Sequence, residues 1–276
     1  MKINFIFITI LTAFFSFLFS CNSKTDKEFN KNHIEETFFP VKLGDSIIVF
    51  KTYIFGAQNI IYFNLHDDEN TSVEAAKHVL NNTRAKLIEI QASGERLITF
   101  NIDTTVYKFD PNRIFSSHGR EATLKRYSQF SQKADSIVKS FADYITDSLL
   151  KDAKIIVTLH NNTENNYSIL SYAQGGEYET DAADIYINKN QDSDDFFYVT
   201  QDDYFNKIKK KAFNVLLQDN TKVTDDGSLS VFCGNKHIRY INIEAQKGHL
   251  KQQEEMIMAL QSIVNKTKNK DTEPEL

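Results

Sequence analysis

Three short fragments of the sequence carry residue types that bind divalent metals, and each lies at the end of an apolar run. They span residues 66–69 (His-Asp-Asp-Glu), 158–160 (Thr-Leu-His) and 242–245 (Asn-Ile-Glu-Ala). A His and a Glu three residues apart can turn their donor atoms toward one point, and a His from a distant strand can add a third ligand. Three protein ligands leave one position of a tetrahedral zinc ion open to water, as in catalytic sites. The fragments therefore predict the mononuclear zinc site of a hydrolase.

The spacing of His66 and Glu69 is a weak signal by itself, because such pairs are common in polar surface turns. His160 strengthens it, since this residue follows the apolar residues 155–159 and precedes two asparagines, an unusually polar setting for a core histidine. Glu244 also ends a strand-like run, where a buried charge without a function would cost folding free energy. The prediction of a site depends on the three fragments together.

A fourth fragment, Asn112-Arg113, follows an Asp-Pro dipeptide in a polar stretch. The planar guanidinium of an arginine presents a fork of donors that matches a carboxylate. The pair is thus a candidate clamp for a substrate carboxylate. The alternative is a loop in which Asn112 and Arg113 make only structural hydrogen bonds.

The N-terminal residues predict where the protein is located. Residues 1–20 contain one early lysine and then an almost unbroken apolar run, which is typical of a signal peptide. They lead into Leu-Phe-Ser-Cys, which resembles a bacterial lipobox with Cys21 as the lipidated residue. An uncleaved anchor is the alternative, but it needs about 20 apolar residues. With residues 21–35 as a polar tether, we expect a lipid-anchored lipoprotein of the bacterial cell envelope.

Composition favours one globular domain, over residues 36–267, with a polar tail at 268–276. The chain of 276 residues is 41% hydrophobic and has 22 Phe and 12 Tyr, which is enough material for a large core. The net charge of −5 argues against a nucleic-acid partner, because the sequence offers no basic stripe that could follow a phosphate backbone. With Cys21 assigned to a lipid, Cys233 has no partner and we expect no disulfide.

Strand-like and helix-like segments alternate along this domain. Strands are predicted at residues 46–54, 60–65, 87–91, 97–102, 154–159, 184–187, 213–217, 228–233 and 239–243, and helices at 72–83, 124–149, 201–211 and 246–266. Gly94 and Gly227 predict hairpin turns. The alternation predicts an α/β fold with a mixed, largely parallel sheet flanked by helices. Ligands of such sheets bind beyond the carboxyl ends of the strands, which is where His66, His160 and Glu244 are expected.

The order of these motifs, His-x-x-Glu, Asn-Arg, strand-end His and strand-borne Glu, resembles the zinc carboxypeptidases of the carboxypeptidase A type. It is equally similar to their relatives, the aspartoacylase and succinylglutamate desuccinylase amidohydrolases. The resemblance extends over residues 60–246 as a match of short motifs, and residues 110–115 are similar to the Asn-Arg-x-Phe signature of the amidohydrolase branch. It implies Zn²⁺ held by His66, Glu69 and His160, and a substrate carboxylate held by Asn112 and Arg113.

The resemblance also implies a reaction, the cleavage of a peptide or N-acyl amide bond beside a free carboxylate. Glu244 would serve as general base toward metal-activated water and then as general acid toward the leaving nitrogen. Both branches carry an oxyanion-stabilising arginine ahead of the Asn-Arg pair, and Arg96 is the candidate here, with a mere hairpin charge as the alternative. Carboxypeptidase and deacylase activities stay open. So does a surface binding lipoprotein that kept the fold and lost turnover.

Overall fold

A computed structural model of the chain describes residues 34–56, 60–81, 83, 85–164 and 166–270, with the side chains of residues 266–270 left out of the description. The described residues belong to one compact unit. The predicted signal peptide, Cys21, most of the tether and residues 271–276 lie outside the described residues. In the part of the chain that is described, no helix is both long and apolar enough to span a membrane.

The described residues form eleven strands and six α-helices. The strands are β1 (Glu35–Leu43), β2 (Ser46–Ile54), β3 (Ile60–Asn64), β4 (Ala85–Gln91), β5 (Ile98–Ile102), β6 (Thr105–Phe109), β7 (Ile155–Asn162), β8 (Ala182–Tyr186), β9 (Phe196–Val199), β10 (Val215–Gln218) and β11 (Tyr240–Gln246). The helices are α1 (Asn70–Leu80), α2 (Ser117–Tyr127), α3 (Gln132–Tyr144), α4 (Asp202–Lys209), α5 (Leu229–Asn235) and α6 (Leu250–Lys270).

Nine strands form one mixed sheet in the order β1-β2-β4-β3-β7-β11-β9-β10-β8, and β5 and β6 form a separate hairpin. The four central strands β4, β3, β7 and β11 are parallel, as are β9 and β10. The other neighbours pair antiparallel. The α/β class with a mixed sheet is confirmed.

Helices cover both faces of this sheet. On β7, Ile156 packs in a cluster with α2, α3, α5 and the β5–β6 hairpin, whereas its neighbours Ile155 and Val157 pack in a cluster with α1, α4 and α6. Alternate residues of a strand point to opposite faces, so these clusters are the two layers of an α/β/α arrangement. Every residue of β3 and β7 is buried, as expected for central strands covered on both sides.

Two predicted elements were wrong. Residues 228–233, predicted as a strand, form the start of α5, and the Ser228 hydroxyl accepts a hydrogen bond from Val231 N at 3.4 Å as a helix cap. A five-residue apolar run does not distinguish a strand from a buried helix. Residues 124–149, predicted as one helix, form the end of α2, then α3, then one π-helical turn at Ile145–Leu149. Ser131 caps α3 and marks the break.

The two predicted hairpin turns were wrong as well. Gly94 does adopt a positive φ of 75°, but it connects β4 to β5, which belong to different sheets. Gly227 precedes α5, where a Cβ atom on Gly119 would lie only 2.3 Å from its Cα. Gly94 needs glycine for its left-handed backbone, and Gly119 and Gly227 both need it because their backbones approach each other closely. The sequence reasoning also missed the strands β1, β6 and β9.

Candidate metal centre

The turn between β3 and α1 carries the first two candidate ligands. β3 ends at Asn64, and Glu69 N donates a hydrogen bond to His66 O at 3.2 Å, which folds the four-residue turn back on itself. The Ser72 hydroxyl donates to Glu69 O at 2.8 Å, and Asn64 Nδ2 donates to the Ser72 hydroxyl at 2.9 Å. These bonds hold the turn rigidly, so the side chains of His66 and Glu69 are directed to one side.

The third candidate ligand and the candidate base lie on neighbouring parallel strands. His160 on β7 pairs in register with Glu244 on β11. Both side chains are buried, and they point to the same face of the sheet because paired residues share a face. Parallel pairing thus brings together two side chains that are 84 positions apart in the sequence. The sequence predicted both residues just beyond the ends of their strands. In the structure both lie inside the strands, each two residues before the last paired residue.

The donor atoms of His66, Glu69 and His160 converge on one point. His66 Nδ1 lies 2.9 Å from Glu69 Oε1, His160 Nδ1 lies 2.9 Å from Glu69 Oε2, and the two Nδ1 atoms are 3.1 Å apart. All three side chains are almost completely buried. Donors of a tetrahedral zinc site with bonds of about 2.0–2.1 Å lie about 3.3 Å apart. Two imidazoles and one carboxylate at this spacing fit a zinc ion in donor type, number and separation.

Asp110 supports this group from the other side of His66, and the sequence reasoning did not assign it a role. His66 Nε2 donates to Asp110 Oδ1 at 2.9 Å, so Nε2 carries the hydrogen and Nδ1 is the ring nitrogen available as a ligand. The same oxygen accepts from Asn112 N at 2.8 Å. One carboxylate therefore links the candidate metal ligands to the Asn112-Arg113 pair. In the sequence, the only indication of a role for Asp110 was its position two residues before the Asn112-Arg113 pair.

Because an acceptor on Nε2 fixes the tautomer and orientation of a ligating histidine, we expect Asp110→Asn to weaken zinc binding by about 10- to 100-fold. Competition with a chromophoric chelator measures this affinity. Asp135→Asn is the control, since Asp135 pairs with Arg120 away from the candidate ligands. An Asp110→Asn variant with wild-type zinc affinity would show that this carboxylate does not support the site.

The pKa values of the two histidines shift in opposite directions. Burial alone would lower the pKa of His66, but the carboxylates of Glu69 and Asp110 outweigh burial and raise it to about 9. Burial lowers the pKa of His160, and the charge of Glu69 offsets this only partly. His160 is therefore neutral at pH 7, whereas His66 is protonated unless a cation replaces its proton.

Zinc binding at pH 7 is accordingly expected to release about one proton, from Nδ1 of His66, because only a deprotonated nitrogen binds a metal. The apparent zinc affinity should fall about tenfold for each pH unit below the pKa of His66. Calorimetric titrations in buffers with different ionisation enthalpies measure the number of protons. Binding enthalpies that are identical in all buffers would contradict this assignment.

Arg96 contacts the carboxylates of this group and is not a hairpin charge. Its Nη1 donates to Glu69 Oε1 at 2.7 Å, and its Nη2 lies 3.6 Å from Asp110 Oδ2. The side chain is 46% exposed, whereas Glu69 and Asp110 are almost fully buried. Arg96 thus lies between the buried carboxylates and solvent.

Asn112 and Arg113 form a 3-10 turn with Pro111. Asn112 Oδ1 accepts from Leu229 N at 3.1 Å in the first turn of α5, so the side-chain oxygen of Asn112 has a structural partner. The Arg113 guanidinium donates to Asn112 O at 2.7 Å and lies 3.5 Å from Asp226, with 38% of its side chain exposed. Arg113 is therefore the member of the pair that is open to an anionic ligand.

Glu244 is buried beside these groups. Burial, with a further contribution from the charge of Glu69, raises the pKa of Glu244 to about 8. Asn242 Nδ2 donates to Glu244 Oε2 at 3.1 Å, which favours the ionised form and limits the increase in pKa. A carboxyl group with a pKa near neutrality is suited to take up and return a proton. The structure brings His66, Glu69, His160, Arg96 and Glu244 together, and Asp110 connects this group to the Asn112-Arg113 turn.

Comparisons with known proteins found similarity at the level of structure alone. No protein-family model matches the sequence, and no curated protein matches it significantly. A succinylglutamate desuccinylase/aspartoacylase from Rhodobacter sphaeroides is 12% identical, with a TM-score of 0.45, and the match covers 85% of this chain and 66% of that one. This chain therefore spans just under two thirds of that protein.

Two other solved structures give comparable values. The succinylglutamate desuccinylase from Chromobacterium violaceum is 12% identical with a TM-score of 0.45, and the match covers 82% of this chain and 71% of that one. A product-bound ectoine utilization protein, EutE, from Ruegeria pomeroyi is 14% identical with a TM-score of 0.45, covering 84% of this chain and 66% of that one.

Proposed function

We propose that the protein is a zinc-dependent hydrolase that cleaves a peptide or N-acyl amide bond adjacent to a free carboxylate. It would act at the bacterial cell envelope from a lipid anchor at Cys21. The observation that carries the proposal is the convergence of His66 Nδ1, a Glu69 carboxylate oxygen and His160 Nδ1, all within 4.8 Å of one another, with Glu244 paired beside His160 on the neighbouring strand.

Each residue has a separate task in this proposal. His66, Glu69 and His160 would hold the zinc ion, and Asp110 would keep His66 in the correct tautomer. When bound, zinc supplies a Lewis acid that polarises the substrate carbonyl and acidifies water. Glu244 would take up a proton from the attacking water on its carboxylate and return it to the leaving nitrogen.

Substrate orientation would depend on the two arginines at the rim. Arg113, with its exposed guanidinium, would bind the substrate carboxylate through paired hydrogen bonds. Arg96 would stabilise the negative charge that develops on the carbonyl oxygen during attack.

A hydrolysis screen tests the proposal. Purified protein loaded with zinc would be incubated with N-acetyl and N-succinyl amino acids and with unblocked peptides of two to four residues, and free amines would be quantified. Turnover restricted to N-acyl amino acids would identify a deacylase, and release of C-terminal residues a carboxypeptidase. Binding of these compounds without any turnover would refute the hydrolase and leave a binding protein.

Arg113→Ala is expected to raise KM by about 10- to 100-fold with little change in kcat, since a carboxylate clamp contacts ground state and transition state alike. A substrate with an amidated carboxylate should show the same defect with the wild type and little further defect with the variant. Arg239→Ala, at an exposed arginine before β11, is the control. Equal KM values for Arg113→Ala and wild type would remove Arg113 from substrate binding.

A further inference from the structure

Buried polar side chains form a chain along β7 and β11 that ends at Glu244. Tyr240, Asn242 and Glu244 occupy alternate positions of β11, so they share one face, and Thr158 of β7 pairs in register with Asn242. None of the four is more than 8% exposed. Tyr240 OH lies 2.6 Å from Thr158 Oγ1, and Thr158 Oγ1 lies 3.2 Å from Asn242 Oδ1. Asn242 Nδ2 then lies 3.1 Å from Glu244 Oε2.

The chemistry of these groups sets the direction of every bond in the chain. In the ionised state, in which Glu244 would act as a base, its oxygens only accept, so Asn242 presents its amide nitrogen to Glu244 and its amide oxygen to Thr158. Thr158 has one hydroxyl hydrogen, which it donates to Asn242 Oδ1. The Thr158 oxygen therefore accepts from the Tyr240 hydroxyl. Tyr240, Thr158 and Asn242 thus donate in sequence toward Glu244.

We propose that Asn242 is a positioning residue that makes Glu244 Oε1 the oxygen that takes up and returns the proton. Oε2 accepts the Asn242 amide hydrogen, and this hydrogen bond makes Oε2 the less basic of the two carboxylate oxygens. Thr158 and Tyr240 act one step further away, by preventing rotation of the Asn242 amide. This inference rests on the proposed function, because it assigns the geometry of the proton transfer in that reaction.

The ring of Tyr240 packs in the core cluster of this face, but its hydroxyl, Thr158 and Asn242 add polar groups to the interior of the sheet. The equivalent positions on the opposite face of the same strands, Val157, Ile241 and Ile243, are apolar and belong to a continuous core cluster. A buried polar group needs a partner to offset its desolvation, so a chain of four such groups is retained at a cost that apolar residues would avoid. The chain also ends at the candidate base, and the hydrogen bonds that form it involve none of the three candidate ligands.

The kinetic test uses a graded set of variants in the full chain, assayed with the screened compound that the wild type hydrolyses fastest. Asn242→Ala should lower kcat by about 10- to 100-fold with KM nearly unchanged, as expected when a reacting group loses its alignment. Thr158→Val should lower kcat by a smaller factor and Tyr240→Phe by the smallest. Tyr62→Phe is the matched control, since Tyr62 is a buried tyrosine of the same sheet whose hydroxyl bonds Gln261.

The decisive comparison repeats Asn242→Ala in a Glu244→Gln background. If Asn242 acts through Glu244, the second change should lower kcat no further, because the group that Asn242 aligns is already absent. A merely structural role would lower kcat by the same factor in both backgrounds. That result would overturn the inference while leaving the hydrolase itself intact.

A second measurement does not need turnover. In ¹H–¹⁵N spectra, the side-chain amide signal of Asn242 is the one that disappears in Asn242→Ala. It should move in Thr158→Val and in Glu244→Gln and stay in place in Tyr62→Phe. A signal unaffected by the first two changes would overturn the inference. If the signal moves but the wild type hydrolyses nothing in the screen, the proposed function fails and the hydrogen-bonded chain that positions Glu244 stands.

Discussion

Glu244→Gln is expected to retain one zinc per chain and wild-type substrate affinity while kcat falls by about 10²- to 10⁴-fold, the usual loss when a general base is removed. A glutamine of the same shape keeps the hydrogen bond from Asn242 possible through its amide oxygen, so the fold is preserved. It has no site that takes up a proton at neutral pH. The loss should therefore appear in kcat and hardly in KM.

Glu89→Gln is a matched control for this change. Glu89 is a buried carboxylate of β4 in the same sheet, and it accepts a hydrogen bond from the Tyr53 hydroxyl at 2.9 Å, away from the candidate ligands. We expect this variant to keep wild-type kcat. Turnover by Glu244→Gln at the wild-type rate on every hydrolysed compound would exclude Glu244 from the proton transfer.

His160→Ala should reduce the zinc content of the purified protein from about one ion per chain to nearly none. An open catalytic site has three protein ligands, and the loss of one leaves too few to hold the ion. The remaining pair, His66 and Glu69, lies on one short turn and forms an incomplete site. Elemental analysis after dialysis against metal-free buffer measures the content. The same variant should lose hydrolysis completely, since the Lewis acid is lost with the metal.

His249→Ala is the control for the zinc measurement. His249 forms a second group of possible metal ligands with Asp192 and Asp195, and its Nδ1 lies 3.2 Å from Asp195. That group is partly exposed, so the control separates loss of the buried site from loss of surface-bound metal. Zinc that persists in His160→Ala and disappears in His249→Ala would reverse the assignment of the metal centre.

Much of the sheet was predictable because its central strands are buried on both sides. The run that forms β3 is wholly apolar up to Asn64, and β2 was predicted with its observed bounds, Ser46–Ile54. The hydrophobic pattern of such runs allows the bounds of a strand to be predicted to within a few residues. The prediction at the start of α5 was wrong for the same reason, since a run of four apolar residues in five is compatible with a helix and with a strand.

The sequence by itself determined which residue types are available for metal and proton chemistry, His66, Glu69, His160 and Glu244, and that three of them follow or end apolar strands. The tertiary structure alone decided that they meet. The pairing of β7 with β11 sets His160 beside Glu244, and the parallel pairing of β3 with β7 brings the turn after β3 to the same edge. Register is a property of strand pairs, so no single segment contains it.

The supporting contacts were also decided only in three dimensions. Asp110, just after the β5–β6 hairpin, contacts His66, and Arg96, just before the same hairpin, contacts Glu69. Both contacts join residues at least 27 positions apart. Local spacing specifies which donors a segment presents, whereas burial and long-range packing specify their partners, their pKa values and thus their chemistry.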